Sequence, residues 1–148
     1  NHIGFATNYE HANDFGPENL IETRVLLFEH VNEYLRANGI NPEMDITSIF
    51  EVGCSSGFLL RHMESNILTA ATIFEGIDID AMAIARGTSY LTQHDSRIRI
   101  TCADMASMGS VMGEKEYDLI LCAGVLRYLS QEDANEVVRS MLHHANRL

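Results

Sequence analysis

The spacing of hydrophobic residues divides most of the chain into alternating helices and strands. Between residues 18 and 37, apolar positions recur every three or four residues, which predicts an amphipathic helix that Gly39 ends. Short β-prone runs then alternate with helical stretches. They predict strands at residues 46–52, 72–78, 97–102 and 117–122, and helices beginning at residue 58 and covering residues 81–91 and 131–145. Residues 41–43 are expected to form a loop.

Strands that alternate with helices in this way indicate a parallel sheet, because each parallel crossover needs a connecting helix. We therefore predict an α/β fold with helices on both faces of the sheet. Residues 1–17 lack clear periodicity and are expected to form an irregular arm or a short helix. The predicted organisation is an N-terminal arm and helix at residues 1–45 and a core at residues 46–148.

Composition and charge narrow the classes of partner. A chain of 148 residues corresponds to one domain, and no stretch approaches the roughly 20 apolar residues that cross a bilayer. Ten basic residues against 21 acidic ones give a net charge of −11. Nucleic acid is disfavoured as a main partner, because its binding depends on basic side chains. The acidity is otherwise typical of solubility alone, and the N-terminus lacks the pattern of a secretory signal.

The cysteines and the histidine pair do not indicate a metal site. Cys54, Cys102 and Cys122 are odd in number and far apart, which favours reduced thiols in a cytoplasmic protein. His143 and His144 are adjacent, and neighbouring residues on a helix point about 100° apart. We expect these two histidines to form a solvated helix end.

The segment with the clearest chemistry is residues 51–57, which lie between a predicted strand and a predicted helix. Gly53 and Gly57 allow a tight turn and a close approach of a ligand to the backbone, although strand–helix packing alone would also explain two glycines. Asp78 ends the next strand, and its carboxylate could accept hydrogen bonds from both hydroxyls of a ribose. The loop and the acid together indicate a nucleotide site more specifically than either does alone.

The loop discriminates between nucleotide cofactors. A dinucleotide fold calls for G-x-G-x-x-G, whereas Gly53 and Gly57 are spaced G-x-x-x-G with Ser55 between them. Glu51 would repel a pyrophosphate but would suit a cationic ligand, such as one with an amino group and a sulfonium. A nicotinamide-dependent oxidoreductase is therefore a disfavoured alternative.

Four segments, in this order, resemble the motifs of the class I S-adenosylmethionine-dependent methyltransferases. Residues 51–57 are similar to the glycine motif, 76–80 to the second motif, 102–105 to the third and 117–129 to the fourth-strand motif. The resemblance implies a Rossmann-like fold with S-adenosylmethionine as cofactor and S-adenosylhomocysteine as product. It also implies methyl transfer to an O, N or C nucleophile, and the acidic surface favours a small-molecule acceptor.

The resemblance further implies a role for each matching position. The cofactor-binding residues that the resemblance implies are Glu51, Gly53, Cys54, Ser55, Gly57, Asp78, Ile79, Asp104, Met105, Ala123 and Gly124. The glycine loop with Glu51 would contact the methionine part, and Asp78 the ribose. Asp104 and Met105 would face the adenine, and Ala123 and Gly124 the sulfonium.

Other positions leave alternatives open. Arg127 and Tyr128 face the expected substrate region, but no catalytic base is assigned. Tyr9, His11 and Phe15 could touch substrate or cofactor, because an N-terminal arm often folds over the cofactor in the resembled family, or they could be plain surface residues.

Two acids have structural interpretations. We expect Asp80 to cap the helix that follows it. Asp118 begins the fourth strand, far from its carboxyl end, and is expected to be structural.

The sequence departs from the resembled family at two points. Ser55 replaces the middle glycine, and the chain carries four of the usual seven strands, so we expect a fragment of a longer protein. The fourth strand would then be an exposed apolar edge through which two copies could form a homodimer. These departures leave an alternative function, a catalytically inactive methyltransferase-like module that serves in binding or interaction.

Overall fold

The computed structural model describes residues 22–146 as four strands and six α-helices with two short 3₁₀ turns. The elements are α1 (Glu22–Ala37), α2 (Pro42–Asp45), β1 (Ser48–Val52), α3 (Phe58–Asn66), β2 (Ile73–Asp78), α4 (Ala81–Gln93), β3 (Ile98–Cys102), a 3₁₀ turn (Met105–Ser107), α5 (Met108–Met112), β4 (Leu119–Cys122), a second 3₁₀ turn (Leu126–Tyr128) and α6 (Gln131–His144). The predicted arm, with Tyr9, His11 and Phe15, lies outside the described residues.

The four strands form one parallel sheet in the order β3-β2-β1-β4, which confirms the predicted α/β fold. The chain passes outward from β1 in one direction to β2 and β3, and in the other direction to β4. The loops that follow β1 and β4 therefore lead to helices on opposite faces of the sheet. In parallel sheets a crevice opens between two such loops, outside the carboxyl ends of the strands.

Each face of the sheet carries its own hydrophobic core. On one face, Ile49 and Phe74 pack with Leu60 of α3 and with side chains of α1 and α4. On the other face, Phe50 and Ile77 pack with side chains of α5 and α6. The two layers of helices confirm the predicted sandwich. The division of the chain at residue 45 stays a prediction.

Several predicted boundaries are wrong by a few residues. Residues 41–43 were expected in a loop, but Pro42–Asp45 form one helical turn that Asn41 caps by accepting a hydrogen bond from the Glu43 amide. The first strand begins at Ser48 rather than at residue 46. The 3₁₀ turn and α5 between β3 and β4 were not predicted from the hydrophobic pattern.

Asp118 explains why the first strand begins late, and its predicted structural role is confirmed. Its Oδ2 accepts hydrogen bonds from the amides of Thr47 and Ser48 at 2.8 and 3.2 Å. Burial alone would raise the pKa of Asp118, but the hydrogen bonds from Thr47 and Ser48 outweigh burial and lower the pKa below its usual value. The carboxylate thereby ties the start of β1 to the start of β4.

The end of α6 returns to the sheet beside the start of β4. The amide of Tyr117 donates to the His144 carbonyl at 2.9 Å, and the amide of Asn146 donates to the Tyr117 carbonyl at 2.7 Å. These bonds form a parallel bridge between Tyr117 and Ala145. Beyond this bridge β4 is an edge of the sheet, as expected, and dimerisation through that edge stays a prediction.

The same pairing corrects the prediction of a solvated histidine pair. His143 is exposed, but His144 is buried, and its Nδ1 lies 2.9 Å from the Lys115 carbonyl oxygen. Because the helix end pairs with Tyr117, the His144 ring is drawn under the chain that leads into β4.

A buried carboxylate joins α3 to the start of β3. Glu64 accepts hydrogen bonds from Arg61, from the Ser96 hydroxyl and from the amide of Arg97, at 2.6, 2.8 and 2.8 Å. The Arg97 guanidinium also lies over the Phe74 ring, 5.4 Å from its centroid. Burial alone would raise the pKa of Glu64, but the hydrogen bonds from its neighbours outweigh burial and hold the pKa below 4.5.

We expect Glu64→Gln to lower the free energy of unfolding at pH 7 by about 2 kcal/mol, because it removes hydrogen bonds to a charged group. A carboxylate whose pKa is lowered by folding stabilises the folded state above its unfolded pKa, near 4.5, and loses that contribution as the pH falls through its folded pKa. The variant should therefore lose less stability than the wild type between pH 7 and pH 3. Urea unfolding at several pH values measures this. Glu136→Gln, which alters an exposed ion pair with Arg139, is the control and should change neither quantity.

Candidate functional site

The loop after β1 is a tight turn that uses left-handed backbone conformations. Gly53 and Gly57 have φ angles of 77° and 81°, and Ser55 has a φ of 50°. The amides of Gly53 and Cys54 both donate to the Ile77 carbonyl of β2, at 2.8 and 2.9 Å. A left-handed conformation costs a serine about 1 kcal/mol or more. The loop is therefore held against β2 with some backbone strain at Ser55.

Neighbouring side chains fill the space beside both glycines. A Cβ at Gly53 would lie 2.4 Å from Cγ1 of Val125, which belongs to the loop after β4. At Gly57 it would lie 3.3 Å from Leu91 and 3.4 Å from Ile100. Packing against these neighbours therefore explains why both positions are glycine. The contact of Val125 with Gly53 also brings the loops after β1 and β4 together at the crevice.

Asp78 connects the glycine loop to the start of α4. Its Oδ2 accepts a hydrogen bond from the Ser55 amide at 2.7 Å, and its Oδ1 accepts one from the Asp80 amide at 2.8 Å. Asp80 in turn accepts from the amides of Met82 and Ala83, which confirms its predicted role as the helix cap. Each carboxylate oxygen of Asp78 has a second lone pair, so both can accept one further hydrogen bond from a ligand.

Glu51 is buried on β1, between Gly76 of β2 and Leu121 of β4. Its charge acts on two cysteines nearby. Burial, followed by the charges of Glu51 and Asp78, raises the pKa of the Cys54 thiol far above its usual value. Burial and Glu51 raise the pKa of Cys122 to about 11. Both thiols are protonated at neutral pH, which argues against a nucleophilic role for Cys54.

The remaining candidates lie at the same edge of the sheet. The Ala103 amide donates to the Asp78 carbonyl at 3.0 Å, which places Asp104 beside the end of β2. Asp104 is exposed and caps the 3₁₀ turn by accepting from the Ala106 amide at 2.9 Å. Met105 packs against the second core, and Ile79 is exposed.

Ala123 and Gly124 continue β4 at this edge, where Gly124 turns the chain with a φ of 85°. The structure thus brings all eleven predicted cofactor-binding residues to the carboxyl ends of the strands. Their binding roles stay predictions. Val125 was missed by the sequence analysis, because no local pattern reveals a contact with Gly53 so far along the chain.

Arg127 and Tyr128 follow in the 3₁₀ turn after β4. The Arg127 guanidinium lies 4.8 Å from the centroid of the Tyr128 ring, and its Nη2 donates to the Tyr128 hydroxyl. Both side chains are exposed. They follow β4, whereas Asp78 ends β2.

Comparison with known proteins gives one family and a set of solved structures. The chain matches the family described as "Methyltransferase domain" over residues 49–147. No curated protein matches it.

Among similar solved structures is the plantazolicin methyltransferase BpumL with a monoazolic desmethylPZN analog and SAH, at 22% identity, TM-score 0.70 and 97% coverage of this chain. Another is an S-adenosylmethionine-dependent methyltransferase from Clostridium acetobutylicum, at 13% identity, TM-score 0.68 and 98% coverage. PKMT2 from Rickettsia typhi with AdoHcy follows at 18% identity, TM-score 0.64 and 76% coverage. This chain spans 49%, 53% and 22% of those three proteins, respectively.

Residues 22–146 contain neither a candidate membrane-spanning helix nor a candidate metal cluster. Their helices include none that is both long and apolar enough to cross a membrane. In the same part of the chain, no three His, Cys, Asp or Glu side chains gather as a metal site would require.

Proposed function

Because this chain belongs to the methyltransferase domain family, we propose that it binds S-adenosylmethionine in the crevice between β1 and β4 and transfers the methyl group to a small molecule. The observation that carries the proposal is the Asp78 carboxylate, which holds the glycine loop and the start of α4 and keeps lone pairs for a ribose. The acceptor atom is an O, N or C nucleophile.

The residues at the site fit this cofactor. Asp78 would accept the ribose hydroxyls, and Asp104 with Met105 would lie at the adenine. Glu51 places a buried negative charge at the glycine loop, where the cationic methionine end would lie. Solved structures with SAH or AdoHcy bound share this fold, which supports S-adenosylmethionine as cofactor and S-adenosylhomocysteine as product.

The protein contributes positioning to the reaction. S-adenosylmethionine, when bound, supplies a methyl group activated by the sulfonium. Ala123 and Gly124 are small, and the loops after β1 and β4 would orient the reactants. No side chain is assigned as a base, since a neutral amine acceptor needs none.

Further parts of the proposal rest on composition. The excess of acidic residues favours a small-molecule acceptor over nucleic acid. The cysteines among the described residues are free thiols, which supports a reducing, cytoplasmic location. An inactive binding module remains the second candidate, because Ser55 adopts a conformation that favours glycine.

Calorimetric titration with S-adenosylhomocysteine and with NAD tests the function. We expect S-adenosylhomocysteine to bind in the micromolar range and NAD to show no heat of binding, because Glu51 would repel a pyrophosphate. Binding of NAD alone would contradict the proposal and indicate an oxidoreductase. Binding of neither would support the interaction module.

A further inference from the structure

Basic residues are scarce at the carboxyl ends of the strands. Within residues 22–146, the loops that follow the strands are residues 53–57, 79–80, 103–104 and 123–130, and Arg127 is their only basic residue. The β1–β3 side carries four acids, namely Glu51, Asp78, Asp80 and Asp104. Residues 123–130 contain no acid, and Glu132 and Asp133 follow in the first turn of α6. Arg127 is therefore the one cation that these loops offer to an anionic group.

The Arg127 guanidinium is already held in one orientation. It lies over the Tyr128 ring, 4.8 Å from the centroid, and donates to the Tyr128 hydroxyl. Val125, two residues earlier, packs on Gly53 and fixes this segment beside the glycine loop. A guanidinium stacked on an aromatic ring presents a planar set of N–H donors that suits carboxylates and phosphates.

We propose that Arg127 binds an anionic group of the methyl acceptor, so that the acceptor is a small organic acid or a phosphate ester that also carries the nucleophile. This inference rests on the proposed function. The cofactor's ribose and cationic end fit the acids at the carboxyl ends of β1, β2 and β3, and Arg127 is the cation left for the acceptor. Tyr128 is a positioning residue, because it acts by orienting Arg127.

Nuclear magnetic resonance of the arginine Nε–Hε groups tests this in protein saturated with S-adenosylhomocysteine. Loss of a signal in Arg127→Lys assigns the Arg127 resonance. Inorganic phosphate and acetate are then titrated separately. Arg139 of α6, whose side chain is 75% exposed, is an internal reference for non-specific anion contact. We expect Arg127 to saturate at a concentration at least about tenfold lower than Arg139 for one of the two anions.

The anion that binds Arg127 more tightly indicates whether the acceptor is a phosphate ester or a carboxylic acid. The variant Tyr128→Leu should raise the saturating concentration at Arg127, because the ring no longer orients the guanidinium. An equal response of Arg127 and Arg139 to both anions would overturn the inference.

A second comparison asks whether Arg127 binds the cofactor's own carboxylate instead. S-adenosylhomocysteine carries that carboxylate and 5′-methylthioadenosine does not. We expect Arg127→Gln to change the Kd of both by less than twofold. A tenfold loss for S-adenosylhomocysteine alone would overturn the assignment to the acceptor. If the wild type fails to bind S-adenosylhomocysteine, the proposed function fails and this inference fails with it. If binding is intact but Arg127 shows no preference, only this inference fails.

Discussion

Replacing Asp78 by alanine is expected to weaken the binding of S-adenosylhomocysteine by about 1.5–3 kcal/mol, or roughly ten- to 150-fold, the range for hydrogen bonds to a charged group. The carboxylate would lose its bonds to the ribose and also its hold on the Ser55 and Asp80 amides. Both losses act in the same direction, so the upper part of the range is expected.

Asp78→Asn separates charge from shape. The side-chain amide of this variant keeps one oxygen acceptor, but its NH₂ group would face a backbone N–H that also donates. The variant should therefore recover only part of the affinity that Asp78→Ala loses. Asp95→Asn removes the same charge from an exposed residue before β3 and should leave the Kd unchanged. Calorimetry on the three variants, with melting temperatures to check folding, measures the effect. An Asp78→Ala protein that folds and binds as tightly as the wild type would contradict the ribose role.

Gly87→Ala is expected to destabilise the fold by about 3 kcal/mol, the upper part of the usual range for overpacking. Gly87 is buried in α4, and a Cβ there would lie 2.2 Å from the carbonyl oxygen of Ser56 and 2.6 Å from its carbonyl carbon. These are backbone atoms of the glycine loop, which cannot move aside as a side-chain tip can. In an exposed helix the same substitution would stabilise by about 1 kcal/mol, so steric overlap decides the sign.

Thermal unfolding measures the effect of this substitution. A loss of about 3 kcal/mol corresponds to a fall in Tm of roughly 6–12 °C for a chain of this size. The control is Gly109→Ala in α5, where the nearest atom to the new Cβ is the Ser140 hydroxyl at 3.8 Å. It should leave Tm unchanged or raise it slightly. If the two variants melt together, the close packing of α4 on the glycine loop is refuted.

The local parts of the fold could be predicted from sequence because their causes are local. Alternating β-prone and helical runs located all four strands, and Asp80 could be predicted as a cap from its place before Ala81. The glycine loop and Asp78 follow consecutive strands, and parallel strands bring their ends together. The glycine loop and Asp78 could thus be placed together from spacing, whereas Asp104, Met105, Ala123 and Gly124 were expected there only from the family resemblance.

Contacts between distant segments could not be predicted in this way. Nothing near Gly87 indicates that it packs on Ser56, and nothing near Glu64 indicates its bonds to Ser96 and Arg97. Residues 105–112 mix Gly, Ser and Met without a clear period, so the turn and α5 there were missed. His144 was misassigned for the same reason, since its burial depends on a pairing with residues 115–117.

The bridge between Tyr117 and Ala145 has a consequence for how the molecule opens. It joins the two ends of the stretch from β4 through α6, so that this stretch forms a closed ring of chain. Because its two ends are paired with each other, this segment is expected to detach from β1 or dock on it as one cooperative unit. It is not expected to fray from α6 alone. Detachment would require the pairing of β4 with β1 to break, and it would carry Val125 and Arg127 away together while β1–β3 stay paired.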